Sequence, residues 1–171
     1  MTEMNQASNR STPQSGGPTG ATILGWAFVA IQAILLVALV VLPSSDHWPT
    51  PSWLRTAGTV LVGVGLLETV VASLRLGRSL TPTPVPRERG SLATDGLYRY
   101  VRHPIYTGVL CIVAGLVAAS GNVSTLAVGA VTVGFFHLKA RWEEHRLAEH
   151  YPDYEAYAAV TPRFIPRPRR H

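Results

Sequence analysis

One run of residues limits what this chain can fold into more than any other feature. From Ala21 to Leu42 the sequence is almost wholly apolar, with Gln32 the main interruption. A helix needs about 20 consecutive apolar residues to cross a bilayer, and in hydrocarbon it satisfies its own backbone polar groups. A cleaved signal peptide is the competing reading. The run exceeds the roughly 7–15 apolar residues of such a peptide. It also lacks a basic start and ends in Leu42-Pro43-Ser44-Ser45-Asp46, with no small-x-small cleavage pattern. It reads as a retained first membrane helix. The chain is 47% hydrophobic and only 15% charged, against roughly 25% charged for a soluble domain, a balance suited to a surface in lipid.

Three further apolar runs follow. The fold class expected is an all-α integral membrane protein with about four transmembrane helices, at about 21–42, 56–76, 105–120 and 123–138. The last two are close to the lower limit of ~17 residues for a span. The tight Gly121-Asn122 link between them implies an antiparallel helical hairpin. The fourth helix is expected to leave the membrane and continue from Lys139 to His150 as a polar cytoplasmic extension. Gly58, Gly63 and Gly65, with the Gly115/Ala119 and Ala130/Gly134 pairs, predict close helix packing. Residues 1–20, poor in large apolar side chains, read as a disordered polar tail, and 21–171 as a single membrane domain. Trp48 and Trp53 suit an aromatic belt. Leu80-Thr81-Pro82-Thr83-Pro84-Val85-Pro86 reads as extended chain. Asp95-Gly96 reads as a turn between two short extended pieces.

Basic residues set the orientation. The loop from Arg75 to Arg102 carries Arg78, Arg87, Arg89 and Arg99 besides its two ends. The C-terminal part carries Lys139, Arg141, Arg146, Arg163, Arg167, Arg169 and Arg170, while the first and third connections hold only Arg55. A multi-pass membrane protein with both termini cytoplasmic is expected. The net charge of +5 lies beside apolar runs, which favours membrane lipids with anionic headgroups as partners over nucleic acid. The terminal Arg167 to His171 run reads as a headgroup tether. The lone Cys111 forms no internal disulfide and reads as a packing residue. Glu68 is an ionisable group within a span and so a functional candidate. Its structural alternative is a protonated group, or a partner for Arg75 two turns on.

Two polar segments are expected to converge because the hairpin folds them together. One is Tyr98-Arg99-Tyr100-Val101-Arg102-His103-Pro104-Ile105-Tyr106-Thr107-Gly108. The other starts at Lys139-Ala140-Arg141-Trp142-Glu143-Glu144 and runs through Tyr151, Tyr154 and Tyr157 to Arg163-Phe164-Ile165-Pro166. No HExxH, Glu-x-x-His, Walker or GxGxxG pattern is present, so no metal site or classical nucleotide fold is indicated. What remains is a pocket of mixed charge, with Glu143 and Glu144 for cations, Arg102, Lys139 and Arg163 for anions, and tyrosines for stacking. Such a pocket suits a zwitterionic ligand with a cationic centre and an aromatic ring.

At these residues the chain resembles the isoprenylcysteine carboxyl methyltransferase family and, more distantly, the phospholipid N-methyltransferases. The resemblance covers roughly Leu76 to Pro166. It rests on Asp95-Gly96-Leu97-Tyr98, Arg102 to Gly108, Glu143-Glu144 and the tail ending in Arg163-Phe164-Ile165-Pro166. It implies a membrane-embedded, S-adenosyl-L-methionine-dependent methyltransferase with a lipophilic or amphiphilic small-molecule acceptor, of isoprenylcysteine-carboxylate or lipid-headgroup-amine type. By family pattern Leu92, Ala93, Tyr98, His103, Pro104, Ile105, Tyr106, Glu143 and Glu144 bind the cofactor, and Arg102, Lys139 and Arg163 face the substrate. Lys139 stands where some relatives carry arginine, keeping the charge and losing the bidentate fork. The sulfonium of the cofactor is already activated, so the protein's task is alignment and exclusion of water, with no catalytic residue beyond positioning. A neutral amine acceptor would pass its proton to Glu144 or His103. Two other readings remain: an NADPH-dependent membrane reductase of the sterol reductase type, a class with a similar arginine-histidine-proline segment and tail, and a non-enzymatic membrane scaffold whose basic tail binds lipids or a partner.

Overall fold

The computed structural model describes residues 20–42, 48–76 and 92–167. Residues 1–19 of the expected polar tail lie outside these, as do the proline-rich stretch 80–86 and the terminal run after Arg167. Among the described residues the regular structure is helical. It comprises α1 (Gly20–Val41), α2 (Ser52–Leu76), a 3-10 turn at Gly96–Arg99, α3 (Pro104–Ser120), α4 (Val123–His150) and α5 (Tyr154–Val160). By length and composition α1, α2 and α4 can cross a membrane, and α3, at 17 residues, is a shorter apolar helix. Their apolar side chains point outward: Ile34, Val40, Leu67, Leu74 and Leu138 are each more than 60% exposed. Apolar surface on this scale marks an apolar neighbour, and on helices of this length that neighbour is lipid.

Local chemistry sets the boundaries. α2 begins ahead of the expected Thr56 because the Pro51 carbonyl accepts from the amides of Leu54 (3.0 Å) and Arg55 (3.2 Å), which opens the helix through its polar first turn. Pro104 starts α3, where its missing N–H costs nothing. α3 ends at Gly121 in the left-handed region (φ 59°), and Asn122 caps α4 by accepting from Ser124 N (2.7 Å) and Thr125 N (3.4 Å). Gly96 also has positive φ (57°), as the Asp95-Gly96 turn requires. The segment after it is a 3-10 turn and not the extended piece expected.

The closest helix crossing joins α2 to α3. A Cβ on Gly58 would stand 2.6 Å from the Gly115 carbonyl, and one on Gly108 would stand 2.7 Å from the Gly65 carbonyl. These glycines let two backbones touch. Of the small residues expected to allow close packing, Gly58, Gly65 and the Gly115/Ala119 pair do so, with Gly115 and Ala119 facing α2, whereas a Cβ on Gly63 or Gly134 would meet nothing within 4 Å. The hairpin packs Gly129 against Val117. Small-xxx-small spacing marks a groove on a helix without naming what fills it, and α2 carries the matching groove. Nor does Glu68 pair with Arg75. That guanidinium lies beside Gly96, and among the described residues no ion pair joins the two.

α1 rests on α4 through Phe28, whose ring meets those of Phe135 (5.8 Å) and Trp142 (5.3 Å). Trp48 N donates to the Gly121 carbonyl (3.4 Å), so the hairpin loop and the approach to α2 share one end of the bundle. The start of α3 and the polar half of α4 lie at the other end. Gly58→Ala and Gly65→Ala are expected to lower the thermal stability of the detergent-solubilised protein, by about 1–3 kcal/mol each from overpacking. Gly63→Ala, facing open space, is expected to leave it unchanged or to raise it slightly. Thermal unfolding of the three variants side by side checks this.

Candidate functional site

Folding back of the hairpin brings the start of α3 against α4. Pro104 disfavours helix at the preceding residue, so His103 is non-helical (φ −126°, ψ 64°). Its imidazole stands between two carboxylates: Nδ1 is 3.6 Å from Glu143 Oε2, and Nε2 is 3.2 Å from Glu144 Oε1. The ring stacks flat on Tyr106, with centroids 5.2 Å apart and 2° between planes. Tyr106 in turn donates its hydroxyl to Glu143 Oε1 and packs on Phe136 (4.9 Å). Lys139, buried one turn before Glu143, holds its ammonium 5.1 Å from the Tyr106 ring centre and donates to Gln32 Oε1 at 2.7 Å. Two carboxylates on opposite nitrogens of one ring do not converge on a common point. Among the described residues no group of three His, Cys, Asp or Glu side chains is placed to hold a metal ion.

Glu144 is the most heavily engaged group here. Its Oε1 accepts from Arg102 Nε (3.0 Å) and Arg163 Nε (2.9 Å) besides His103, and its Oε2 accepts from Arg163 Nη2 (2.5 Å). Hydrogen bonding to this carboxylate raises the Arg163 pKa further above its ordinary value, which keeps the guanidinium charged. Backbone bonds run beside the ion pairs. Arg102 N donates to the Pro162 carbonyl (2.9 Å) and His103 N to the Arg163 carbonyl (3.1 Å), while Thr107 Oγ1 reaches the Phe164 carbonyl (2.9 Å). The tail after α5 is thereby clipped along the start of α3. Phe164 fills the space between His103 (6.0 Å) and His137 (4.9 Å). Arg102 Nη1 also donates to the Ala158 carbonyl (2.7 Å).

The structure gathers His103, Tyr106, Glu143, Glu144, Arg102, Lys139 and Arg163 into one cluster. Pro104, fully buried, and Ile105, half-buried, form the first turn of α3 below it. Leu92 and Ala93 lie half-buried in the chain leading to the Gly96 turn. Tyr98 is buried in that turn, and its carbonyl accepts from the Tyr157 hydroxyl (2.5 Å). Burial, then the Tyr157 phenol and the Glu143 carboxylate, push the Tyr98 pKa up; burial pushes Tyr157 up to about 12. Both phenols are neutral donors near pH 7. Two anchoring partners were not singled out from the sequence, Phe136 and the Ala158 carbonyl, and Tyr157, expected to stack, instead donates its hydroxyl to the Tyr98 carbonyl. Gln32 left a visible signal as the break in the first apolar run. Phe136 and Ala158 sit at unremarkable helical positions.

The two carboxylates differ in what they hold together. Glu144→Gln leaves two guanidinium groups facing an uncharged amide, and is expected to cost about 3 kcal/mol, the low end for a broken buried pair because Arg163 keeps some water. It should also speed hydrogen exchange at the Arg102 and His103 amides, which the tail protects. Glu143→Gln keeps an acceptor for Tyr106 and is expected to cost under about 1 kcal/mol. Exchange mass spectrometry with thermal unfolding compares the two.

A family model described as phospholipid methyltransferase matches residues 53–154. The chain is 29% identical over 139 residues to a nickel-cobalt-cadmium resistance protein of Alcaligenes xylosoxydans xylosoxydans, covering 80% of this chain and 62% of that protein. It is 30% identical over 125 residues to protein-S-isoprenylcysteine O-methyltransferase B of Arabidopsis thaliana, covering 71% and 61%. Over 77 residues it is 42% identical to the protein-S-isoprenylcysteine O-methyltransferase of Schizosaccharomyces pombe, covering 44% and 33%. The chain thus spans less than two thirds of the length of these curated relatives. No solved structure matches it. The matched span is more than half of the chain and runs from α2 through the His103–Glu143–Glu144 cluster to the first residue of α5. On that match, the chain belongs to the phospholipid methyltransferase family.

Proposed function

We propose that this protein is a membrane-embedded, S-adenosylmethionine-dependent methyltransferase acting on an amphiphilic acceptor at the cytoplasmic face of the membrane. The observation that carries the reading is Glu143. One of its oxygens takes the Tyr106 hydroxyl. The other faces His103 Nδ1 at 3.6 Å, beyond hydrogen-bond distance. A partly satisfied carboxylate walled by stacked aromatic rings fits a ligand with an ammonium group, a cationic sulfur and a flat heterocycle. The donor set therefore fits S-adenosylmethionine, with Glu143 for the ammonium and Tyr98, His103 and Tyr106 around the rest. Bound there, the cofactor supplies a methyl group on a sulfonium, activated for in-line displacement.

The chain's own residues orient and enclose. Glu144 accepts from two guanidinium groups and is ionised, so a neutral His103 carries its proton on Nε2 and donates it to Glu144. The lone pair is then on Nδ1, facing the site. Of the two bases weighed for an amine acceptor, His103 is the one with an open atom, since both Glu144 oxygens are taken. A carboxylate acceptor needs no base. Lys139 spends one of its donors on Gln32 and keeps others for an anionic acceptor. Four crossings, with α3 the shortest and both termini cytoplasmic, would put the cluster where a soluble cofactor enters from water and a lipid-like acceptor from the bilayer.

Calorimetric titration of S-adenosylmethionine into the nanodisc-reconstituted protein tests the reading. His103→Ala and Glu143→Ala are each expected to weaken binding by about tenfold or more, the loss of a charge-assisted contact. Unchanged affinity in both variants removes the site. Binding of NADPH, with none of S-adenosylmethionine, moves the protein to the reductases.

A further inference from the structure

One buried donor next to this cluster has no partner. Tyr154 is 4% exposed, and its hydroxyl makes no hydrogen bond. Buried hydroxyls are paired as a rule, because an unmet one forfeits its hydration for nothing. Tyr154 opens α5, and one turn further on the Ala158 carbonyl of the same helix holds Arg102, which shares Glu144 with Arg163. Glu144 would be the natural acceptor for the Tyr154 hydroxyl, but that carboxylate already receives three bonds on Oε1 and one on Oε2. The guanidinium groups are not fully spent. Arg102 uses Nε and Nη1, and Arg163 uses Nε and Nη2. That leaves Arg102 Nη2 and Arg163 Nη1 with no protein partner among the described residues. Two guanidinium charges against one ion-paired carboxylate leave this side of the cluster net positive, whereas on the other side Glu143 and Lys139 offset each other.

We propose that the Tyr154 hydroxyl, with the spare N–H groups of Arg102 and Arg163, forms a subsite for a carboxylate or phosphate oxyanion. The ligand supplies the acceptor that Tyr154 lacks. The cluster then has two poles, Glu143 for a cation and Tyr154 with the arginines for an anion, separated by His103. A carboxylate would come from the amino-acid end of the cofactor, a source that rests on the methyl-transfer reading. A phosphate would come from a lipid headgroup and does not need that reading. Glu144 in this arrangement is a positioning residue: it aims both guanidinium groups and leaves one edge of each free.

Tyr154→Phe removes the hydroxyl and keeps the buried ring. The full chain in phosphatidylcholine nanodiscs is titrated calorimetrically with three probes: S-adenosylhomocysteine, decarboxylated S-adenosylmethionine and sn-glycerol 3-phosphate. The second probe keeps the ammonium and, relative to S-adenosylmethionine, lacks only the carboxylate. If the anion is the cofactor's carboxylate, the variant binds S-adenosylhomocysteine about tenfold more weakly and the decarboxylated probe as the parent does. If the anion is a headgroup phosphate, the loss falls on glycerol phosphate alone. Equal loss on every probe marks Tyr154 as a packing residue and overturns the subsite, as does unchanged affinity for all three. Should the parent bind neither nucleoside probe, the methyl-transfer reading falls. A Tyr154-dependent affinity for glycerol phosphate then still upholds the subsite, and its absence ends it.

Discussion

Everything around the cluster depends on one carboxylate. Glu144 comes from the middle of the polar half of α4, His103 and Arg102 from the residues before α3, and Arg163 from the tail beyond α5. Three segments that are distant in the chain are tied at one point. Charge-assisted bonds of this kind are about twice as strong as neutral ones, and at a membrane boundary they compete with less water than on a soluble surface. The backbone bonds from Arg102 and His103 to the tail exist because the ion pairs bring the tail there. Glu143, the adjacent residue, holds the Tyr106 hydroxyl with one oxygen and keeps the other in reserve.

The helices divide the labour in the same way. α2 and α3 are locked by glycine contacts that leave no room for adjustment, a rigid pair from which His103 and Tyr106 project at one end. α4 meets α3 over larger side chains and carries the charged groups beyond the apolar region. Rigid support on one side and long polar side chains on the other is a sound way to hold a small ligand at the edge of a bilayer. The stacked His103 and Tyr106 rings carry this rigidity into the cluster, since each fixes the plane of the other.

Much of this was legible in the sequence, for reasons specific to particular residues. The apolar runs announced the helices because lipid tolerates little else. The Gly121-Asn122 link announced the hairpin, and with it the meeting of His103 with Glu143. Which helix the glycines served was not legible: Gly115 has the same spacing whether it faces α2 or α4, and only the three-dimensional match to Gly58 decides. The split between Glu143 and Glu144 was equally hidden. Adjacent identical residues differ by about 100° around a helix, and which of them meets two arginines depends on a tail that returns from the far side of α5. Gln32 stood out as a polar residue in an apolar run, yet nothing in the one-dimensional pattern named its partner, Lys139.

That last pair has a consequence for how the first helix is regarded. The family match starts at residue 53, inside α2, so α1 would pass for a disposable anchor. Its Gln32 nevertheless supplies the protein acceptor seen for the Lys139 ammonium, and its Phe28 covers Trp142. A chain trimmed to the matched span would leave the buried Lys139 ammonium beside Tyr106 without that acceptor. The first helix is thus coupled to the cluster from outside the matched span: a change at Gln32 would reach Tyr106 through Lys139 without altering any residue between 53 and 154.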